Sequence, residues 1–596
     1  MKLPSFARLL SAFSTAILRF PLTMLAAVLA VVALLVMIEK NGSELLSKIW
    51  MMAQLGIPLF IGLTTLAESK GWSWKGLGGL IQIAGIVALV LYGWSLPDLN
   101  APDFEPVHLI RYGVLLLVVH LFVSFAPYLN QYSIAHFWEF NKQLFANFII
   151  GAAYAAILWA GLSLAILAVD QLFQLQLDGK IYLQLFVLLI GIFNTTFFLH
   201  HFPVEYEYTD LDTSYTQVFK TLCKFILIPI VSLYFVILYA YSAKILISWA
   251  LPVGWVASLV IGFSIAGILT YLLNYRLPAY DNSPIASNYR RWFWWVMLPM
   301  IAMLFVAISR RIMDYGITEE RFFVAHIGFW LLLTGGYFVI SKTDNIKFVP
   351  ISLAVFGLTA VLGPLSAFNI AVRSQKGILE QLLVQNGRLA AGKVVKGNNL
   401  LPEKDGKIII SALDFLEKRH QLSTIQNWLP MPVDSLYSGS KRPVDQVADL
   451  MDIHWEKEPL SSDAYVRAYA NPATYQGNIG DYTLLYQLDL SEYSETEESR
   501  FFTINKTKDG LALLETTKRD TTTVEEFFLG FYLKEWFRKS ENGAYVFPPG
   551  KSVLEMKGKK YDLKLIINAL EFNPEGDRFE ITQCTGIALL REKRSK

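Results

Sequence analysis

Ionisable side chains inside long apolar runs are the places where this chain could do chemistry. His120 sits near the middle of the apolar run at 108–128, Lys244 near the end of the run at 222–248, and His326 within the run at 322–341. Ionisable groups in hydrocarbon are costly, so they line cavities or find partners. Taken together, the three form a candidate intramembrane polar site that would contact a proton or a cargo. The alternative is ordinary packing, with each histidine hydrogen-bonded inside a bundle and the lysine reaching out to the headgroups.

A second cluster lies between two apolar runs, at Arg310, Arg311, Asp314, Glu319, Glu320 and Arg321. Its opposite charges suggest an internally paired loop, in which each exposed contact contributes about 0–1 kcal/mol. Thr318 is a plausible N-cap, and Glu319 and Glu320 fall where carboxylates favour the helix dipole. The loop is then either the start of a helix with paired arginines or a polar lid over an outward cavity. The densest set of metal-ligand types is His200, His201, Glu205 and Glu207. Imidazole and carboxylate suit zinc or manganese, but no recognised ligand spacing is present, so no metal is assigned. There is no Walker loop, dinucleotide glycine pattern, His-Glu-x-x-His helix or Gly-x-Ser-x-Gly elbow. His420 and His454 nominate no catalytic triad. No cofactor is expected, and the catalytic residues, if any, stay unknown.

These residues must be positioned by membrane helices. The chain has 596 residues, 54% hydrophobic and only 17% charged, against roughly 25% charged in soluble domains. Its Trp, Tyr and Phe suit rings that anchor helix ends at headgroups. A formal net charge of +2 gives no reason to expect a nucleic-acid partner. Two cysteines exclude a disulfide framework. A helix needs about 20 apolar residues to cross hydrocarbon. Runs near 17–38, 45–66, 77–96, 108–128, 144–169, 181–201, 222–248, 252–273, 291–309, 322–341 and 348–370 therefore predict about eleven spans. The first follows a basic stretch, Lys2, Arg8 and Arg19, and reads as a retained span. Lys48 snorkels at the end of the second. Lys and Arg are modestly more frequent on one side, which places the N-terminus in the cytoplasm. An odd number of spans then puts the C-terminal part outside it.

The division falls near residue 371. Residues 1–370 read as a polytopic α-helical bundle, and 371–596 as a C-terminal extracytoplasmic α+β domain. A helix leaves the membrane with Ile378, Leu379, Leu382 and Leu383 on one face and Gly387 as its C-cap. Ser411 to Leu429 and Pro443 to Met451 predict two more helices, and Thr523 to Phe537 another. Tyr482 to Leu490 is rich in β-formers. Lys508-Asp509-Gly510 joins a hairpin of 501–505 and 511–515, and Asn573-Pro574-Glu575-Gly576-Asp577 joins one of 561–572 and 579–590.

Tyr315-Gly316-Ile317-Thr318-Glu319-Glu320-Arg321-Phe322, Asn345-Ile346-Lys347-Phe348-Val349-Pro350, Gly363-Pro364-Leu365-Ser366-Ala367-Phe368 and Arg373-Ser374-Gln375 form a pattern. It resembles the bacterial membrane family named domain of unknown function 4153. The resemblance implies a multi-pass protein of the bacterial inner membrane, with no established activity and no catalytic residues to carry over.

The expected function is a transporter, or an accessory subunit of one, with an external domain that takes small-molecule cargo or docks a partner. Interruptions at Gly56-Ile57-Pro58, Ile228-Pro229 and Gly363-Pro364 favour it, because broken helices expose backbone groups to a cargo. The alternative is an envelope-assembly or signalling scaffold whose external domain binds a protein or the cell wall. A membrane-embedded transferase or hydrolase is the third reading. In each, the lipid bilayer is the constant partner.

Overall fold

The structure, a computed structural model, describes residues 14–40, 43–99, 106–129, 133–206, 217–248, 255–278, 283–341, 344–397, 399–438, 442–454, 466–469, 484–490, 502–506, 510–516, 521–540, 544–547, 552–575 and 578–593. It forms two compact units, divided at Trp455/Glu456.

The first unit opens with apolar helices. Helix α1 is Pro21–Glu39, α2 Glu44–Ser69, α3 Leu77–Ser95, α4 Pro106–Phe125 and α5 Ile134–Phe173. Helix α6 is Lys180–His200, α7 Phe219–Ile245, α8 Trp255–Leu273, α9 Pro284–Tyr315, α10 Glu319–Ile340 and α11 Phe348–Val361. Among the described residues, nine helices are long and apolar enough to cross a membrane. The expected eleven is not reached because α11 has 14 residues, a rise of about 21 Å against a core of about 30 Å. The other apolar helix outside this count is α8, whose described side chains cover Ala257–Leu273.

Local chemistry sets these boundaries. Pro21 and Pro284 occupy first-turn positions, where a missing N–H costs nothing. The Ser43 and Ser133 hydroxyls cap α2 and α5, each accepting from a backbone N–H at 3.3 Å. Lys48 pairs with Glu44 at 2.6 Å in the first turn of α2, which accounts for a cation at that position. The bundle core is strongly aromatic, with Phe20, Tyr128, Phe140, Phe202, Tyr271, Phe293 and Trp294 in one cluster.

The chain leaves the bundle through α12, Ala367–Gln385. Gly387 follows it at φ +67, the left-handed C′ position that favours glycine. Helices α13, Glu403–Lys418, and α14, Pro443–Leu450, complete a small helical module with its own core around Leu379, Leu383, Ile409, Leu413, Leu422 and Trp428. Helix α13 starts well before the expected Ser411. Glu403 and Asp405 sit in its first turn, and the chain after Lys418 tightens into a 3₁₀ stretch, Leu422–Trp428. This module belongs to the same compact unit as the membrane helices, and the second unit begins only at Glu456.

The second unit is built on largely antiparallel sheets, with one parallel pairing, of 467–469 with 544–546. Strands β1 (Leu389–Ala390) and β2 (Lys393–Val394) belong to the first unit. Strands β3 (Val466–Tyr469), β4 (Leu484–Leu490), β5 (Phe502–Lys506), β6 (Gly510–Thr516), β7 (Thr521–Phe528), β8 (Ala544–Val546), β9 (Val553–Lys557), β10 (Tyr561–Glu575) and β11 (Arg578–Glu592) follow. The larger sheet runs β4-β11-β10-β3-β8, with β9 also on β10, and the smaller runs β5-β6-β7. Both expected hairpins form, as β5 with β6 and β10 with β11. The helix expected over 523–537 does not. Residues 521–528 pair with β6 as a strand, and the helix, α15, is Gly530–Lys539. Thr521, Thr522, Thr523 and Val524 are β-branched and favour the pleated strand over the helix. Neither cysteine forms a disulfide, both are buried, and burial pushes the Cys584 thiol up to about 12.

Two carboxylates brace this unit. Glu525 on β7 accepts backbone N–H groups from Lys559 at 2.9 Å, Lys560 at 2.7 Å and Tyr561 at 3.3 Å. Asp562 on β10 meets Arg591 at 2.9 Å and Lys593 at 3.1 Å. Burial alone would raise both acids, but the N–H groups and the two cations prevail and hold them below their ordinary values. A lowered folded-state pKa contributes stability that is present above the unfolded value, near pH 4, and lost as pH falls through the folded value. We expect residues 456–596, expressed alone, to unfold cooperatively and to lose stability below about pH 4. Asp562→Asn should lower stability at pH 7 by about 1–2 kcal/mol and flatten that acid dependence. Urea titrations at pH 7 and pH 3 check both, and an unchanged pH slope in the variant would exclude Asp562 as a source.

Candidate functional site

The turn between α9 and α10 is where the membrane helices hold the helical module. Gly316 ends α9 at φ +72, and its N–H bonds Ile312 O at 2.8 Å. A Cβ there would come within 2.3 Å of Ile378 and 3.0 Å of Gln375 Nε2. The glycine therefore serves both a left-handed turn and a close approach to α12. On α12, Ser374 Oγ accepts the Ile317 N–H at 2.9 Å. Gln375 is buried, and its Nε2 donates to Tyr315 O and Ile317 O, each at 3.1 Å. The turn's polar backbone is thus satisfied by two neighbouring side chains of one helix.

The charges complete the junction. Arg419, just beyond α13, donates from Nε to Glu319 Oε1 at 2.7 Å, with side chains 18% and 6% exposed. So little solvent access makes this pair stronger than a surface contact and costly to break from one side. Arg321 turns back on the loop, donating to Tyr315 O at 3.0 Å and Gly316 O at 2.8 Å. Asp314 faces Lys404 of α13 at 3.9 Å, an exposed contact of little energy. Glu320 and Arg310 are exposed and Arg311 is half-buried. Arg310 and Asp314 border a shallow apolar groove along α9 with Phe305 and Met313. The expected internal pairing is thus replaced for Glu319 and Asp314 by partners roughly a hundred residues on, which loop spacing cannot reveal.

The other sequence candidates lie apart. His120 is exposed on the bundle and donates from Nδ1 to Leu116 O of its own helix at 2.7 Å. His326 donates from Nε2 to Phe356 O of α11 at 2.9 Å and stacks on Phe322 at 5.1 Å. Lys244 is exposed on a third helix, α7. His200 and His201 pack edge to face at 4.9 Å, and His201 Nδ1 donates to Phe197 O. Glu205 is exposed, and Glu207 lies outside the described residues. Among the described residues, no three His, Cys, Asp or Glu side chains are placed to hold a metal.

Two ionic nodes at the other helix ends escaped the sequence reading. Arg19 makes a two-pronged contact with Glu68, at 3.0 and 2.8 Å, and also donates to the carbonyls of Phe202 and Pro203. The Tyr206 hydroxyl donates to the same carboxylate. Arg290 pairs with Asp344, which also accepts from Tyr271 at 3.0 Å. Arg19 belongs to the basic stretch before the first span and Asp344 stands beside the Asn345 motif, but neither has a partner within reach in sequence.

The junction separates two adjacent acids. Glu319→Gln should destabilise the detergent-purified protein by about 1–3 kcal/mol, and Glu320→Gln by less than about 0.5 kcal/mol. A double-mutant cycle of Glu319→Gln with Arg419→Gln should return a coupling of about 1–2 kcal/mol. Gly316→Ala should be at least as harmful as Glu319→Gln, since it meets both the positive φ and Ile378. Thermal unfolding checks each, and equal effects of the two glutamate changes would contradict the geometry.

The chain is similar to an uncharacterized protein of Pasteurella multocida, 24% identical over 312 residues. That match covers 52% of this chain and 50% of the relative, so about half of each is compared. No solved structure matches. The family model described as a domain of unknown function, DUF4153, matches residues 26–386, from α1 through the end of α12. It takes in both halves of the clamp, the 315–321 turn and Ser374-Gln375, and with more than half of the sequence matched, the chain belongs to the DUF4153 family.

Proposed function

We propose that this protein is a multi-pass scaffold of the bacterial inner membrane, one that presents its C-terminal β-rich unit to an envelope partner, a protein or a wall polymer. The carrying observation is the junction at Glu319, Arg419, Ser374 and Gln375. A buried ion pair and hydrogen bonds to turn carbonyls fix the exit helix to the membrane bundle. A presenting scaffold needs a firm base on the bundle, and the helical module that precedes the β-rich unit in sequence has one. The modest excess of Lys and Arg on one side supports an N-terminus in the cytoplasm and a C-terminal part outside it.

The transport reading keeps one specific support. Helix α2 carries Pro58, and π-helical segments interrupt the spans at Leu189–Asn194 and Leu222–Leu227. Such segments gather at functional sites and can free backbone groups toward a cargo.

Both native cysteines are buried, so single introduced cysteines report cleanly. In intact spheroplasts, Lys404→Cys should react with an impermeant maleimide, and Lys70→Cys only after permeabilisation. The reverse pattern would overturn the orientation. Removing 456–596 should abolish envelope partners recovered by cross-linking while leaving the bundle's thermal unfolding in place. Recovery of the same partners by the shortened chain would reject the scaffold reading.

A further inference from the structure

A cavity of about 210 Å³ opens beside the Arg19–Glu68 node, walled by Arg19, Thr64, Glu68, Trp72, Trp74 and Gln82. Its place is the common end of three helices: Arg19 precedes α1, Glu68 closes α2, and Trp72 and Trp74 lead into α3. Tryptophans at helix ends mark the level of lipid headgroups. At roughly 30 Å³ per water, the cavity holds about seven waters' worth of ligand, the size of a small headgroup.

Its polar wall is incomplete. Gln82 is 2% exposed, its Nε2 donates to Thr64 Oγ1 at 3.0 Å, and its Oε1 has no partner. An unpaired buried amide oxygen is costly unless a donor reaches it. Glu68 lies on the same wall, its side chain still 33% exposed despite its bonds to Arg19 and Tyr206. A donor that satisfies an amide oxygen beside a carboxylate is an ammonium N–H. Arg19 supplies the opposite sign for an anionic group. Leu18, at 82% exposed, and the exposed Leu77 and Leu80 extend an apolar surface from the rim, along which acyl chains could lie.

We infer that this cavity binds the zwitterionic headgroup of a primary-amine phospholipid, its ammonium toward Gln82 and Glu68 and its phosphate toward Arg19. The two tryptophans form the rim and contribute cation–π attraction. A trimethylammonium headgroup has no N–H to offer and is larger, so the site discriminates by hydrogen bonding as well as by size. The inference does not depend on the scaffold reading, since it concerns the opposite helix ends from the Glu319 junction.

Native mass spectrometry of the full chain, released from detergent with equal amounts of ethanolamine, choline and glycerol phospholipids, is the test. The ethanolamine lipid should be retained preferentially. Gln82→Leu and Trp74→Ala should each lower its retention about tenfold, the loss of roughly one charge-assisted contact. Trp74 is largely exposed, so its variant reports even if Gln82→Leu fails to fold. Gln82→Glu should retain the ethanolamine lipid. Phosphoethanolamine without acyl chains, added in a thermal-shift assay, separates the sources. If it stabilises the protein while the lipid shows no preference, the site takes a soluble amine and the lipid inference is overturned. Equal retention of ethanolamine and choline lipids, or no effect of Trp74→Ala, also overturns it.

Discussion

A carboxylate withdrawn from water must meet a cation, and Glu319 meets Arg419. That requirement organises the exit from the membrane. Glu319 stands in the first turn of α10, where the helix dipole already favours an anion. Its partner lies just past the end of α13, so the pair ties a membrane helix to the module outside the bundle. Once it forms, the neighbouring polar groups have fixed positions to satisfy. Ser374 and Gln375 take up the turn's N–H and carbonyls, Gly316 allows the close approach, and Arg321 closes the remaining carbonyls. No member of this set has the same value alone, because each bond holds the geometry that the next one uses.

The opposite helix ends solve the same problem differently. There the cations are short-range stitches between spans, Arg19 to Glu68 and Arg290 to Asp344, each shared with tyrosine hydroxyls. Aromatic faces cover both guanidiniums. Arg19 lies 4.8 Å from the Phe20 ring centre and Arg290 4.5 Å from that of Tyr275. A guanidinium suits this boundary, since its flat faces accept rings while its edge bonds carboxylate and carbonyl together. In the module outside the bundle, the buried Arg388 likewise bonds a carboxylate and a carbonyl together, those of Asp452 and Asn399.

Much of this architecture was legible from residue order. The apolar runs, the glycine after α12, the proline-led α14 and both hairpins appear where periodicity and turn residues put them. The errors share a cause. Local spacing over 523–528 suits a helix, and only the pairing with β6 makes it a strand. Ser411 suits a cap by residue type, yet the acids that favour the first turn of α13 lie upstream, at Glu403 and Asp405. The expected count of eleven spans is not confirmed, since nine helices among the described residues are long and apolar enough to cross a membrane.

Sequence alone determined the membrane-spanning class, the family and the change of character after the bundle, because each rests on composition or on contiguous motifs. It also singled out the residues of the Glu319 turn as unusual. Only the tertiary structure decided what they do. Glu319 and Arg419 are a hundred positions apart, and nothing local distinguishes an acid paired within its loop from one paired across the junction. The same holds for His120 and His326. Their spacing allowed a shared polar site, and helix packing instead left one on the bundle surface and bonded the other to a neighbouring carbonyl. Which way a side chain faces is a property of the packed bundle, and the linear order of apolar residues does not contain it when a helix is apolar on every side.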